Sequence, residues 1–263
     1  MGIVNVTPDS FSDGGRHFGR AAALEHARRL IAAGADILDI GGESTRPGAE
    51  PVPEAEELER TVPLIEAIRA ESPIPISIDT LKPAVAWAAA RAGAGMWNDV
   101  SALQGAPDSV EVAAALGCEV VLMHMRGEPR TMQDNPAYAD VVAEVSQALL
   151  ARADAAVAAG VSRERIWLDP GIGFGKRLGH NLALLSHLEA LVALGYPVLL
   201  GASRKSFLKA IHPGAADVGD RLGGSLAVAL AGARSGVAAV RVHDVAETVQ
   251  ALEVWAAIEK GRP

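Results

Sequence analysis

Ile74-Pro-Ile-Ser-Ile-Asp79 is a short strand-like run that stops at a carboxylate, and the same event recurs along the whole chain. Gly2-Ile-Val-Asn-Val6 carries Asn5 near its end, and Asp36-Ile-Leu-Asp-Ile40 carries Asp39 and turns at Gly-Gly-Glu43. Gly95-Met-Trp97 is followed by Asn98 and Asp99, Glu119-Val-Val-Leu-Met123 by His124, and Ile166-Trp-Leu168 by Asp169. Pro197-Val-Leu-Leu-Gly-Ala202 leads to Ser203, Arg204 and Lys205, and Ala238-Ala-Val-Arg-Val242 supplies Arg241 and gives way to His243. Eight runs with polar groups collected at their C-terminal ends are the pattern of an α/β protein of the (β/α)8 TIM-barrel type, in which those ends form the one face that carries chemistry.

Helix-like segments fill the intervals. They are expected over 18–33 with Gly34 after the last turn, 54–71 with a helical period at Leu58, Val62, Ile65 and Ile68, and 81–92 with Pro83 near the start, where proline is tolerated. Further helices are expected over 108–116 with Asp108 as N-cap, 138–159, 181–194, 220–234 and 244–260. Strict alternation of strand and helix implies parallel strands joined by crossovers. The near-continuous apolar strands imply a sheet covered on both faces. An open, doubly wound sheet is the competing architecture; eight units, all with polar ends, favour closure. No linker or low-complexity tract divides the chain, so residues 1–263 are expected to form one domain.

The composition excludes several classes. A net charge of −8 with 21% charged residues argues against a nucleic-acid partner, which usually requires a basic stripe. With Cys118 as the lone cysteine, no intrachain disulfide can form, and its place at the head of an apolar run reads as core packing. No stretch approaches the roughly 18 apolar residues that span a membrane, and Val6-Thr-Pro-Asp9 ends the opening run too early for a signal peptide. A cytoplasmic location is expected.

Three connecting segments are long and rich in Gly, Pro, Ser and Asp: Asn5–Arg16, Asp39–Ala49 and Met123–Gln133. Loops of that length on a compact barrel are more often lids than plain turns. Asp169-Pro-Gly-Ile-Gly-Phe-Gly-Lys176 matches the spacing of neither a P-loop nor a dinucleotide fingerprint, and its glycines are better suited to close approach of backbone to a flat ligand. There is no G-x-S-x-G elbow and no suitable cysteine, so no side-chain nucleophile is apparent.

In this order the segments Asn5-Val-Thr-Pro-Asp-Ser-Phe-Ser-Asp-Gly-Gly15, Gly41-Gly-Glu-Ser-Thr-Arg-Pro-Gly48, Asp169–Lys176, Ser203-Arg-Lys-Ser-Phe207 and Arg241-Val-His-Asp-Val245 resemble dihydropteroate synthase, a pterin-binding family of folate synthesis. The resemblance runs from Met1 to the last helix. It implies condensation of 6-hydroxymethyl-7,8-dihydropterin diphosphate with 4-aminobenzoate, assisted by Mg²⁺, to give 7,8-dihydropteroate and pyrophosphate. Asp169, Asn98 and Asp79 would then meet the donors and acceptors of the pterin edge, Lys205 would donate to the ring carbonyl or N5, and Met123 and Phe174 would pack near the ring. Arg241 and His243 would hold the diphosphate and Asn5 the Mg²⁺. Ser206, at the start of a helix-like segment, would receive the 4-aminobenzoate carboxylate, with Thr45, Arg46, Pro47 and Phe11 closing over its ring. Asp79, Lys205, Arg241 and Asn5 form the expected catalytic set.

The resemblance also implies dissociative chemistry, a homodimer formed through late helices, and competition by sulfonamides, which mimic 4-aminobenzoate. Family members usually carry a further N-terminal stretch ahead of strand 1, often a hairpin under the barrel. The chain opens on that strand, which affects the expected barrel floor rather than the catalytic face. Arg126 stands where Gln is common and reads as non-catalytic. A pterin-dependent methyltransferase shares fold and pocket, but Ser203–Phe207 and the two glycine-rich lids argue against it. A pterin-binding paralogue without turnover would usually have lost a lid or diphosphate residue, and none is missing here.

Overall fold

The computed structural model describes residues 1–6, 15–44, 49–128 and 131–261, and of residues 15–18 the backbone only. Its elements, in chain order, are β1 (Gly2–Asn5), α1 (Gly15–Ala32), β2 (Leu38–Gly41), α2 (Glu54–Glu71), β3 (Ile76–Asp79), α3 (Pro83–Ala92), β4 (Met96–Asp99) and α4 (Ser109–Leu116). Then follow β5 (Glu119–Met123), α5 (Val141–Ala158), β6 (Ile166–Asp169), α6 (Leu178–Ser186), α7 (Leu188–Val192), β7 (Leu199–Leu200), α8 (Ser206–Ile211), α9 (Leu222–Ser235), β8 (Ala239–Val240) and α10 (Val245–Lys260).

Strands β1 to β6 pair in sequence order, every pair parallel, and β7 pairs with β8 in the same sense. Two further parallel bridges join these sheets: Leu168 with Val198 between β6 and β7, and Gly2 with Val242 between β1 and the end of β8. Backbone hydrogen bonds continue the ladder at both seams, Leu168 N–H to Pro197 O at 2.9 Å, Ile3 N–H to Val242 O at 3.0 Å and Val242 N–H to Met1 O at 2.9 Å. The Met1 amino group donates to Val240 O at 2.9 Å beside them. The eight strands therefore close on themselves, and the open-sheet alternative is excluded.

Successive side chains on a strand point to opposite faces, and here the two faces have different partners. One alternate set, including Val4, Leu38, Ile40, Ile76, Ile78, Trp97, Val120, Leu122, Ile166 and Leu168, joins the large core shared with the helices. From the helices it meets Ala23, Ala27 and Leu30 of α1 and Leu64, Ile65 and Ile68 of α2. The other set makes a second, smaller apolar cluster: Met1, Met96, Val121 and Leu199, with Ile37, Trp167 and Ala239 against it. These seven come from seven different strands or the residue just before them, and they plug the barrel interior. Moving two or four residues toward the C-terminal end on the same parity reaches Asn5, Asp39, Asn98, Met123, Asp169 and Arg241, and on β3 Asp79 follows the buried Ser77 in the same way. Apolar plug and polar face are thus consecutive layers of one inward column per strand.

The helices keep the outer bounds of the expected spans to within three residues, and three features have a visible local cause. The helix expected over 181–194 is two, because Ser186 Oγ donates to Ala183 O at 3.0 Å and His187 Nδ1 lies 2.9 Å from the same carbonyl, diverting it from the helical ladder. α5 begins at Val141, three residues later than expected, since Asp140 Oδ1 accepts from the N–H groups of Val142 and Ala143. Asp108 occupies the N-cap position of α4 but makes no capping hydrogen bond, while Ser109 Oγ accepts from Ala106 N–H at 3.1 Å. Cys118 is half-buried against the large core, as its sequence position implies.

The segment after β6 touches the end of β5 through backbone. At Gly171, with φ +65°, an added Cβ would lie 2.0 Å from His124 O; at Gly175, with φ +61°, it would lie 2.3 Å from Arg126 O. Gly171→Ala must both strain φ and push the touching backbone segments apart, so it should destabilise the fold by more than about 2 kcal/mol. Gly179→Ala, in open space on α6, should be neutral or stabilising by up to about 1 kcal/mol. Thermal melts of the two variants beside the parent check this; equal Tm values would contradict it.

Candidate active site

The polar face is organised around Arg241, which follows β8. Its Nε donates to Asp39 Oδ2 of β2 at 2.5 Å and its Nη2 to Asp79 Oδ2 of β3 at 2.8 Å, so one guanidinium bridges two carboxylates across the mouth of the barrel. Asn98 Nδ2 of β4 donates to Asp39 Oδ2 at 3.3 Å. The remaining oxygens, Asp39 Oδ1 and Asp79 Oδ1, are buried and have no hydrogen-bond donor among the described residues. A buried acceptor without a donor is costly, and two at one site make a surface matched to a ligand rich in N–H groups. Asn5 joins the group: a Cβ placed on Gly41 would lie 3.7 Å from Asp79 Oδ2 and 3.8 Å from Asn5 Oδ1.

Two carboxylates against one guanidinium leave this buried group one positive charge short. Burial pushes the Asp79 carboxyl up, to about 7; Arg241 opposes the shift and the negative charge of Asp39 adds to it. Burial also works against the charge of Arg241, but Asp39 and Asp79 more than restore it, and its pKa lies above the ordinary arginine value.

A second couple of opposite charges, Asp169 and Lys205, lies nearby without a direct salt bridge. Asp169, at the end of β6, is buried and accepts from Gly171 N–H at 2.6 Å. Burial raises its pKa, and Lys205 is the leading opposing influence. Lys205 Nζ donates to Ile172 O at 2.5 Å and sits 4.6 Å above the centre of the Phe174 ring; burial pushes its pKa down to about 8. A Cβ on Gly201 would meet Asp169 Oδ2 at 3.6 Å and Arg241 at 3.9 Å, which places both pairs around one opening. Met123, at the end of β5, is buried beside the segment after β6.

Loops 7 and 8, after β7 and β8, are joined twice. The His243 N–H donates to Ser203 Oγ at 3.3 Å, with His243 Nδ1 3.1 Å from the same hydroxyl. Arg204, in a left-handed conformation at φ 60°, grips Asp244 with both Nε and Nη2. Ser206 is the first residue of α8. The expected site residues Phe11, Thr45, Arg46 and Pro47 lie outside the described residues. Arg126, expected to be non-catalytic, lies 3.9 Å over the Tyr138 ring and pairs with Glu144 at 2.7 Å.

Two residues take on roles that sequence reasoning did not give them. Asp39 appeared as a strand-end carboxylate, which was its one signal, but nothing local shows that it shares Arg241 with Asp79. Lys176 closes the glycine-rich segment and is buried; burial pushes its pKa down to about 7. A cavity of about 830 Å³ lies to the side of this group, over Glu43, Lys82, Ser101 and Arg152, and reaches the site through Met123 and His124.

A barrel with this layered mouth offers buried acceptors without donors beside buried cations. The chain belongs to the pterin-binding enzyme family, whose model matches residues 1–243. Among its relatives, the dihydropteroate synthase of Escherichia coli (strain K12) is 48% identical over 255 residues, which is 97% of this chain and 89% of that one. The solved dihydropteroate synthase of Xanthomonas albilineans with 4-aminobenzoic acid superposes with a TM-score of 0.93 at 52% identity, covering 98% and 92% of the two chains. The same organism's enzyme in complex with 7,8-dihydropteroate gives 0.89 at 48% identity, with the same coverage.

Because Asp79 holds its proton more tightly when folded (about 7 against an ordinary 3.8), it contributes stability that is fully present below about pH 4 and is lost as the pH rises through 7. Asp79→Asn cannot titrate. The Tm of the parent minus that of the variant should therefore fall from pH 5 to pH 8 in ligand-free thermal melts. A constant difference would show that Asp79 titrates as an ordinary carboxylate.

Proposed function

We infer that the chain is a transferase with dihydropteroate synthase activity, joining 6-hydroxymethyl-7,8-dihydropterin diphosphate to 4-aminobenzoate with release of pyrophosphate in folate synthesis. The observation that carries this reading most directly is convergence. Asp79, Asn98, Asp169 and Arg241 sit at the ends of four different strands, and Lys205 reaches the same opening from the loop after a fifth. Likeness over nearly the full length of synthases solved with 4-aminobenzoic acid and with 7,8-dihydropteroate supports it.

In this reading Asp169, Asn98 and Asp79 pair with the amino and ring N–H groups of the pterin, Lys205 donates to its carbonyl or N5, and Met123 and Phe174 line the ring. Arg241 and His243 bind the diphosphate. The C–O bond to the diphosphate breaks first and the electron pair leaves with pyrophosphate. The cation left on the exocyclic methylene is delocalised into the dihydropterin and faces the carboxylates of Asp79 and Asp39. The arylamine nitrogen then attacks and loses its proton. Catalysis comes from positioning and from fixed charge. Ser206, with Thr45, Arg46, Pro47 and Phe11, receives 4-aminobenzoate, and the segments after β1 and β2 exclude water from the cation.

Mg²⁺ fits the donor set. Asn5 offers an amide oxygen beside Asp79, whose second oxygen has no donor among the described residues. Mg²⁺ binds through few protein oxygens together with substrate phosphates; when bound, it neutralises the leaving group. Residues 1–263 act as one pterin-binding unit. No helix among the described residues is long and apolar enough to cross a membrane, which agrees with a cytoplasmic enzyme. The chain pairs as a homodimer through α9 and α10. Val254 and Ile258 are 55% and 72% exposed one turn apart on α10, beside a groove lined by Leu230, Ala231, Arg234 and Trp255.

Coupled assays of pyrophosphate and dihydropteroate should show both products forming together, only with 4-aminobenzoate and Mg²⁺ present, and inhibition by sulfonamide that is competitive with 4-aminobenzoate. Lys205→Ala and Arg241→Ala should each lose about 10²–10³ in kcat/KM. Pyrophosphate without dihydropteroate, or turnover insensitive to both substitutions, would refute the assignment. In light scattering coupled to size exclusion, the parent should show twice the chain mass and Val254→Glu/Ile258→Glu the single mass; a monomeric parent would refute the pairing.

A further inference from the structure

Lys176 is 3% exposed, yet among the described residues no carboxylate touches it. Its ammonium instead meets four acceptors: His124 O at 3.1 Å, Gly171 O at 2.9 Å, Phe174 O at 2.9 Å and His124 Nδ1 at 2.9 Å. Burial and the charge of Lys176 hold the His124 imidazole neutral, at a pKa of about 3, so its nitrogen is available to accept. The same segment hands its intervening carbonyl, Ile172 O, to Lys205. Glycines at positive φ, 171, 173 and 175, alternate with those residues, so carbonyls 171 and 174 serve one ammonium and carbonyl 172 serves another. Gly171 N–H, at the head of this run of carbonyls, is the donor that fixes Asp169 at 2.6 Å.

We propose that Lys176 is a positioning residue for the pterin site: its buried cation clamps the segment after β6 to the end of β5 and so sets the spacing of Asp169, Phe174 and Lys205 without touching substrate. The inference rests on the assignment of Asp169 and Lys205 to pterin recognition. Lys176 acts on the wall formed after β5 and β6, whereas the 4-aminobenzoate residues belong to other loops. Its loss should therefore weaken one substrate selectively. A hydrophobic replacement of similar length keeps the volume but leaves three carbonyls without their donor.

The test is Lys176→Met and Lys176→Ala, with Asp169→Asn measured alongside. Lys176→Met should raise the KM for dihydropterin diphosphate about tenfold, leave the KM for 4-aminobenzoate within twofold and change kcat less than either. Propylammonium matches the atoms removed in Lys176→Ala. Added to that variant, it should recover pterin affinity, measured by direct titration, and 1-propanol should not. Folded Lys176→Met with an unchanged pterin KM, equal increases in both KM values, or rescue by propanol as well as by the amine would each overturn the proposal. If Asp169→Asn itself binds pterin normally, the assignment of the pocket fails first; if Asp169→Asn loses binding and Lys176→Met does not, only the positioning role fails.

Discussion

The two-residue period of a strand, imposed on eight parallel strands that close into a ring, is the constraint on which the rest of this structure depends. Closure divides each strand into an outward set and an inward set, and a slip of one residue would exchange them entirely. The outward set is apolar but for Asp99 at the end of β4, because helices cover it. The inward set changes character along its length, from Met1, Met96, Val121 and Leu199 to Asp39, Asp79, Asn98 and Asp169. Polar groups that are far apart in the chain become neighbours because they occupy the same height in adjacent columns.

That arrangement is tolerable only if the buried charges answer one another. Removing ions from water is expensive, and close pairing offsets the cost only with good geometry. The Arg241 guanidinium uses two of its donor nitrogens and meets a carboxylate with each. Lys205 stands against Asp169 with an aromatic face and a carbonyl to support it. Lys176 is held by the negative ends of peptide dipoles and by a neutral imidazole. Three cations on one small face thus have three kinds of partner, and burial moves the two lysines and two of the carboxylates toward neutrality.

The fold was legible because its signals are local. Strand runs, helical periods and the polar residue closing each run are all local signals, and α2 spans the 54–71 that its period implies. The helix break at Ser186–His187 was not visible, since it turns on two side chains competing for one carbonyl. At the site, residue types were legible through the family resemblance, and pairings were not. Asp39 and Arg241 lie 202 positions apart, and no periodicity links them. Lys176 read as the end of a glycine-rich loop, because carbonyls that converge on an ammonium leave no mark in side-chain chemistry.

The bridge from Arg241 to Asp39 and Asp79 bears on turnover as well as on recognition. A cation with no internal partner would grip an anion as tightly as its geometry allowed, before and after the bond to that anion broke. Arg241 has somewhere else to go. Whatever it gives to a phosphate it withdraws from its two carboxylates, so its affinity for the anion is reduced by the contacts surrendered. If Arg241 binds the diphosphate as proposed, a departing group would compete with the protein's own acids, and the exchange back to them would favour release and reset the site for another cycle.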